Sequence, residues 1–216
     1  MSYFLAVVLA LAQAPAVVSD PSLNTLIDGI DRTFGRMRDF SSDFVQIYYD
    51  PIKPKRQESG HLYLMRPRMA RWEYKNPEEK LFVSDGKTVY FYTPADRQVA
   101  MEAVKESLDD RIPLMFLLGR ANLRNEFARI EMLREKPFLA GTQVIRLFPR
   151  RETGIDDIVI EVDPGNYHVR RLVFSTDDGA RSEFIFSNIR TNTGLRSSTF
   201  DFKVPAGVEV IEGITQ

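Results

Sequence analysis

The 216-residue chain contains no cysteine, only two histidines and a single tryptophan. Without cysteine there is no disulfide framework, no thiolate nucleophile and no sulfur-based metal site. The same absence removes the residue that carries the acyl anchor of a bacterial lipoprotein, so the product is expected to be unanchored. His61 and His168 fall in separate predicted strands without metal-ligand spacing, and each reads as an ordinary sheet residue. Charge of one sign is also missing: 29 Lys and Arg stand against 30 Asp and Glu. No basic face is available for nucleic acid, which is excluded as a partner. There is no Gly-flanked nucleophilic serine, no phosphate-cradling Gly-Lys-Ser/Thr loop and no dinucleotide fingerprint. No catalytic residue, metal or cofactor is expected.

Long hydrophobic runs are absent too. The longest, Tyr3 to Ala12, is too short to span a bilayer. It lies in an uncharged opening of sixteen residues, MSYFLAVVLALAQAPA, ending on the small-residue pattern Ala14-Pro15-Ala16. Although no Lys or Arg follows Met1, the pattern reads as a cleaved secretory signal peptide over residues 1–16. Residues 17–216 then form one domain, since no linker or internal repeat is visible and β folds of this length are commonly single units.

What is present is apolar and aromatic. Hydrophobic residues make up 44% of the chain and charged residues 27%, a globular balance. Asp20-Pro21 suits a helix start, and Leu23, Leu26, Ile27, Ile30, Phe34 and Met37 recur at steps of three and four. The spacing predicts an amphipathic helix ending near Asp39. From Ser42 the period becomes two, and strands follow at about 58–65, 69–75, 80–84, 87–93 and 97–103. Short turns such as Asp85-Gly86 join them, so the sheet is antiparallel. Strands resume at about 130–133, 138–148, 158–162, 169–175 and 183–189. The tail, Phe200–Lys203 and Val204–Val208, offers a last edge strand. About eleven strands, one helix and one inserted apolar segment predict a single strongly curved sheet with helices over it.

The stretch Gly60–Tyr92 is apolar on both strand faces: Leu62 and Leu64 alternate with Tyr63 and Met65, and Val89 and Phe91 with Tyr90 and Tyr92. A one-sided sheet would alternate apolar with polar. Both faces therefore need a cover, with helices on one side and a lid or an apolar ligand on the other, which points to a hydrophobic binding cavity. Between Asp109-Asp110-Arg111 and Arg120 lies the apolar block Ile112–Gly119, either a core helix or a lid folded over the cavity mouth. Arg66 follows Leu62 and Leu64 on their face, directly before Pro67. It is either a strand-end arginine reaching water or a latch whose donors hold carbonyls of the lid.

The run Leu64-Met65-Arg66-Pro67, then Arg71-Trp72-Glu73-Tyr74, Leu81–Thr88 (LFVSDGKT) and Phe91-Tyr92-Thr93-Pro94 closely resembles the LolA family of periplasmic outer-membrane lipoprotein carriers. Phe40–Gln46 fits the family's first strand, Pro113–Leu118 its lid segment, and Phe200-Asp201-Phe202 with Pro205–Val208 its end. The resemblance implies an unclosed antiparallel β-barrel with an N-terminal helix and a helical lid over a hydrophobic cavity. It implies acyl chains held by Phe44, Leu62, Leu64, Trp72, Tyr74 and Phe91, with Leu114, Met115, Phe116, Leu117 and Leu118 in the lid and Arg66 as the latch of the ligand-free form. The implied cargo is triacylated lipoprotein, received from an inner-membrane ABC transporter and delivered to an outer-membrane receptor lipoprotein, by a monomer in the periplasm. Two other readings use the same barrel: an envelope lipid hydrolase, and a lipid-sensing regulator. A receptor lipoprotein would need a cysteine and a regulator a second domain.

Overall fold

The computed structural model describes residues 21–104, 122–151, 154–176 and 178–213. The expected signal peptide at 1–16 and the lid segment Leu114–Leu118 lie outside the described residues. Helix α1, Pro21–Arg36, is followed by β1 (Asp39–Tyr49), β2 (Arg56–Met65), β3 (Met69–Asn76), β4 (Lys80–Asp85), β5 (Thr88–Thr93) and β6 (Gln98–Ala103). A short helix α2, Leu123–Glu126, leads into β7 (Phe127–Leu133), β8 (Gln143–Pro149), β9 (Ile155–Val162), β10 (Val169–Thr176) and β11 (Arg181–Thr191). After a 3-10 turn at Ser197–Phe200, β12 spans Glu209–Glu212.

The twelve strands of the described residues belong to one sheet, in the order β12-β6-β5-β4-β3-β2-β1-β11-β10-β9-β8-β7. Every neighbour pair is antiparallel except β12 with β6. The end strands, β12 and β7, do not pair with each other, so the barrel is unclosed. One buried cluster nevertheless joins Leu26, Ile27, Ile30, Phe34 and Met37 to side chains from Trp72 of β3 through to Ile145 of β8. Those strands are six steps apart in the sheet, about 29 Å at ~4.8 Å per step. A helix is only about 10–12 Å across. One helix is too narrow to cover that width of a flat sheet, so burial of the whole face calls for a sheet that curls.

The helix stops at Arg36, three residues before the expected end. Its last turn closes with a bond from Met37 N–H to the Phe34 carbonyl. Asp39 explains the switch to extended chain: its carboxylate accepts the Thr193 and Gly194 N–H groups and the Thr193 hydroxyl, at 2.7–3.0 Å. Phe138, expected inside a strand, lies in a turn before β8. There the Glu161 carboxylate takes the N–H groups of Phe138 and Leu139 at 3.0 and 2.8 Å, which holds the chain out of the ladder.

The tail departs most from expectation. Residues 200–208 form no strand; they cross the outer face of the sheet as a strap, and the edge strand comes later, at Glu209–Glu212. Phe200 is completely buried, and the Phe202 ring lies 5.2 Å from Tyr90 and 5.8 Å from Tyr92. This accounts for the doubly apolar β4 and β5. Their outer face is covered by the strap and needs neither lid nor ligand, so only the helix-facing side remains available for a cavity.

Candidate functional site

Residues paired across strands share a face, so the registers give the helix-facing surface row by row. The first row runs Phe40, Leu64, Ala70, Ser84, Val89 and the second Ser42, Leu62, Trp72, Phe82, Phe91, Ala100. The third runs Phe186, Phe44, Gly60, Tyr74, Lys80. The six side chains expected to line a cavity thus lie on one face. Phe44, Leu62, Leu64 and Trp72 are at most 4% exposed, whereas Tyr74 and Phe91 are half-buried.

The rings interlock. Phe44 meets Trp72 at 5.0 Å and Tyr74 at 5.1 Å, both edge-to-face, and Trp72 meets Phe184 at 5.3 Å. Phe184 stacks with Phe186 at 6.2 Å and with Phe174 at 6.1 Å. These three phenylalanines complete the aromatic wall, and sequence reasoning did not nominate them. Phe184 and Phe186 recur at period two, which puts both rings on one side of their strand.

Beyond Phe44 the same face turns polar. Gln46 and Glu58 are paired in register, as are Tyr48 with both Arg56 and Ser182. Gln46, Glu58 and Ser182 are only 3–5% exposed. The Tyr74 hydroxyl donates to Gln46 Oε1 at 3.0 Å, and Gln46 Nε2 donates to Ser182 Oγ at 3.4 Å. Lys80 closes a short hydrogen-bonded ion pair on Glu58, with Arg56 Nε 3.6 Å from the same oxygen. Burial, reinforced by Tyr48 and Glu58 nearby, holds the Tyr74 phenol well above its ordinary value, so it remains a neutral donor.

Arg66 closes the opposite end. Its Nη2 donates to the Phe34 carbonyl at 2.7 Å, where a cation also meets the negative end of α1. Its Nε is buried and has no hydrogen-bond partner among the described residues, which leaves one donor to spare. Ser42 Oγ, set between Phe40 and Phe44, is likewise buried without a partner among the described residues. His61 is turned to the outer face, where its Nδ1 lies 2.6 Å from Asp43. Among the described residues no group of acids and histidines could hold a metal ion.

A sequence profile described as outer membrane lipoprotein carrier protein LolA matches residues 36–203, which includes the whole aromatic wall and Arg66. The chain belongs to the LolA family. It is 30% identical to the outer-membrane lipoprotein carrier protein of Azotobacter vinelandii over 208 residues, covering 94% of each chain. It is 33% identical to that of Haemophilus influenzae over 172 residues, covering 79% of this chain and 78% of the relative. Among solved structures, an uncharacterized conserved protein from Thermus thermophilus superposes with a TM-score of 0.56 at 12% identity, covering 89% of this chain and 99% of that one. The Mycobacterium tuberculosis lipoprotein LppX superposes with a TM-score of 0.50 at 12% identity, covering 83% of this chain and all of the other. These two likenesses concern the fold alone. LolA proteins are outer-membrane lipoprotein carriers of the periplasm and not enzymes.

Proposed function

We propose that this protein is exported by cleavage of residues 1–16, and that residues 17–216 work as one monomeric carrier domain. It shuttles triacylated lipoproteins across the periplasm, from an inner-membrane ABC transporter to an outer-membrane receptor lipoprotein. The acyl chains lie against Phe44, Leu62, Leu64, Trp72, Tyr74 and Phe91, under a lid formed by Leu114–Leu118. The observation that carries this reading is the single apolar face, continuous over β1–β3 and β8–β11, in a chain of this family.

The chemistry follows from water. Each CH₂ removed from water is worth about 0.8 kcal/mol, so three acyl chains cannot cross an aqueous compartment uncovered. A cover must also let go without an energy source of its own. That requires a closed, empty state and an open, loaded state close in free energy, with cargo shifting the balance. Arg66 supplies the closing contact: its bond to the Phe34 carbonyl ties the end of β2 to α1, and its unpaired Nε is the donor we assign to a carbonyl of the lid. Proteoliposomes bearing the transporter and a triacylated lipoprotein test the proposal. With ATP, lipoprotein should appear in the supernatant in proportion to added protein and pass to receptor-bearing vesicles. No transfer above a no-protein control would overturn it.

A further inference from the structure

The helix-facing surface is not uniform along the strands. Near the start of β1 its rows are aliphatic and aromatic but for the two small hydroxyls of Ser42 and Ser84, and toward the end of β1 they become Gln46, Glu58, Tyr48, Arg56 and Ser182, with Tyr74 and Lys80 alongside. Burying such groups is costly unless their hydrogen bonds are made, and in the structure they are made to one another: Tyr74 to Gln46, Gln46 to Ser182 and Lys80 to Glu58. On the β10 flank the same face stays apolar at Leu172 and Phe174, so the charged groups and the hydrogen-bonded cluster gather in one corner, over β1–β4 and the start of β11. The other end of the strands is already tied shut: Arg66 is bonded to Phe34, and Asp39 to Thr193 and Gly194.

A triacylated cargo has the same division. Its chains are pure hydrocarbon, but they meet at ester and amide carbonyls, beyond which a polypeptide must reach water. Resting on the carrier reading above, we infer that the polar corner is the head-group end of the cavity, so cargo binds in one orientation. The ester and amide carbonyls accept hydrogen bonds from the Tyr48 and Tyr74 hydroxyls, the Gln46 amide and the Lys80 ammonium. The acyl chains run from there past Phe44 and Leu62 toward Arg66. The polypeptide leaves beside the exposed 50–55 hairpin and the 77–79 turn. The Glu58–Lys80 pair neutralises both charges while the cavity is empty, and Lys80 swings to a carbonyl when it is full.

Absence of cysteine makes the orientation measurable. Lys55→Cys marks the polar end and Lys87→Cys the Arg66 end; both positions are exposed and lie at opposite ends of the strands. Each variant carries a nitroxide and is loaded with a synthetic triacylated cysteinyl peptide that bears a second nitroxide three residues after its cysteine. Pulsed EPR should give one short distance distribution from position 55 and a distribution longer by tens of ångströms from position 87. Short distances from position 87, or equal broad distributions from both, would overturn the inference while leaving the carrier reading intact. Failure of the peptide to load at all would remove both. Tyr48→Phe provides a second readout, because a purely structural hydroxyl would not distinguish ligands. Affinity for the triacylated peptide should fall about two- to tenfold, the worth of one hydrogen bond, with affinity for a carbonyl-free hydrocarbon dye unchanged. Equal loss for both probes, or no loss for either, would count against the polar corner as a carbonyl site.

Discussion

Replacing Arg66 by leucine tests how cargo release is built into the fold. The guanidinium donates to the Phe34 carbonyl at 2.7 Å, holding the end of β2 against the last turn of α1. A hydrogen bond from a charged group contributes about 1.5–3 kcal/mol net. Losing it raises the closed, empty state by that amount but leaves the wall of Phe44, Leu62 and Trp72, which we propose binds the acyl chains, intact. At about 1.4 kcal/mol per factor of ten, the balance moves toward the open state by about 10- to 150-fold. By linkage, cargo binds more tightly by as much as the closed state formerly opposed it. A fluorescent triacylated peptide titrated against Arg66→Leu should therefore show a lower Kd and slower transfer to acceptor vesicles. Arg66→Lys, which keeps the charge without the planar fork, should fall between them. Unchanged affinity and unchanged transfer would refute the latch; weaker binding would mean that Arg66 touches cargo and does not hold the empty form shut.

Other substitutions probe the scaffold. Trp72→Ala, at a side chain 4% exposed within the ring cluster, should lower stability by about 3–5 kcal/mol, read from urea unfolding; a loss under about 1 kcal/mol would mean the site collapses freely. Phe200→Ala should cost a similar amount, because the strap over β3 and β4 is pinned by that fully buried ring. A Cβ on Gly29 would collide with the Tyr167 ring, so Gly29→Ala should destabilise by about 1–3 kcal/mol in spite of alanine's better helix propensity. Burial alone would raise the Asp39 carboxyl, but the N–H groups of Thr193 and Gly194 and the Thr193 hydroxyl outweigh it and hold the group below its ordinary value. Its stabilisation is therefore complete above the unfolded value of about 3.9 and is lost as pH falls through the lower folded value. Tm should drop less steeply below about pH 4 in Asp39→Asn than in the parent, and parallel curves would contradict this.

Much of the architecture was legible because its signals are local. The α1 stripe, the switch to period two after Ser42 and the Asp85-Gly86 hairpin each need only a short window. Gly86 takes φ +92°, and the Asp85 carboxylate caps Lys87 and Thr88, as such a turn demands. What escaped depends on distant partners. The second apolar face of β4 and β5 suggested a ligand, but it belongs to Phe200 and Phe202, more than a hundred residues later, and periodicity cannot say which segment covers a face. The strand expected at Phe138 failed for the same reason, since Glu161 captures its backbone from the neighbouring sheet region. Phe184 and Phe186 were placed in a strand, but only the register with Phe44 and Gln46 sets them on the same face as the aromatic wall. The polar corner was invisible in sequence, because Gln46, Glu58, Tyr74 and Ser182 come from four strands.

Carriage of an acylated protein in water is tested most directly by native mass spectrometry. The mature protein would be expressed in a Gram-negative periplasm together with a triacylated lipoprotein and purified without detergent. The carrier reading predicts a one-to-one complex whose added mass is the acylated protein, lost on treatment with detergent. Recovery of the empty monomer alone, with lipoprotein and transporter both supplied, would contradict it.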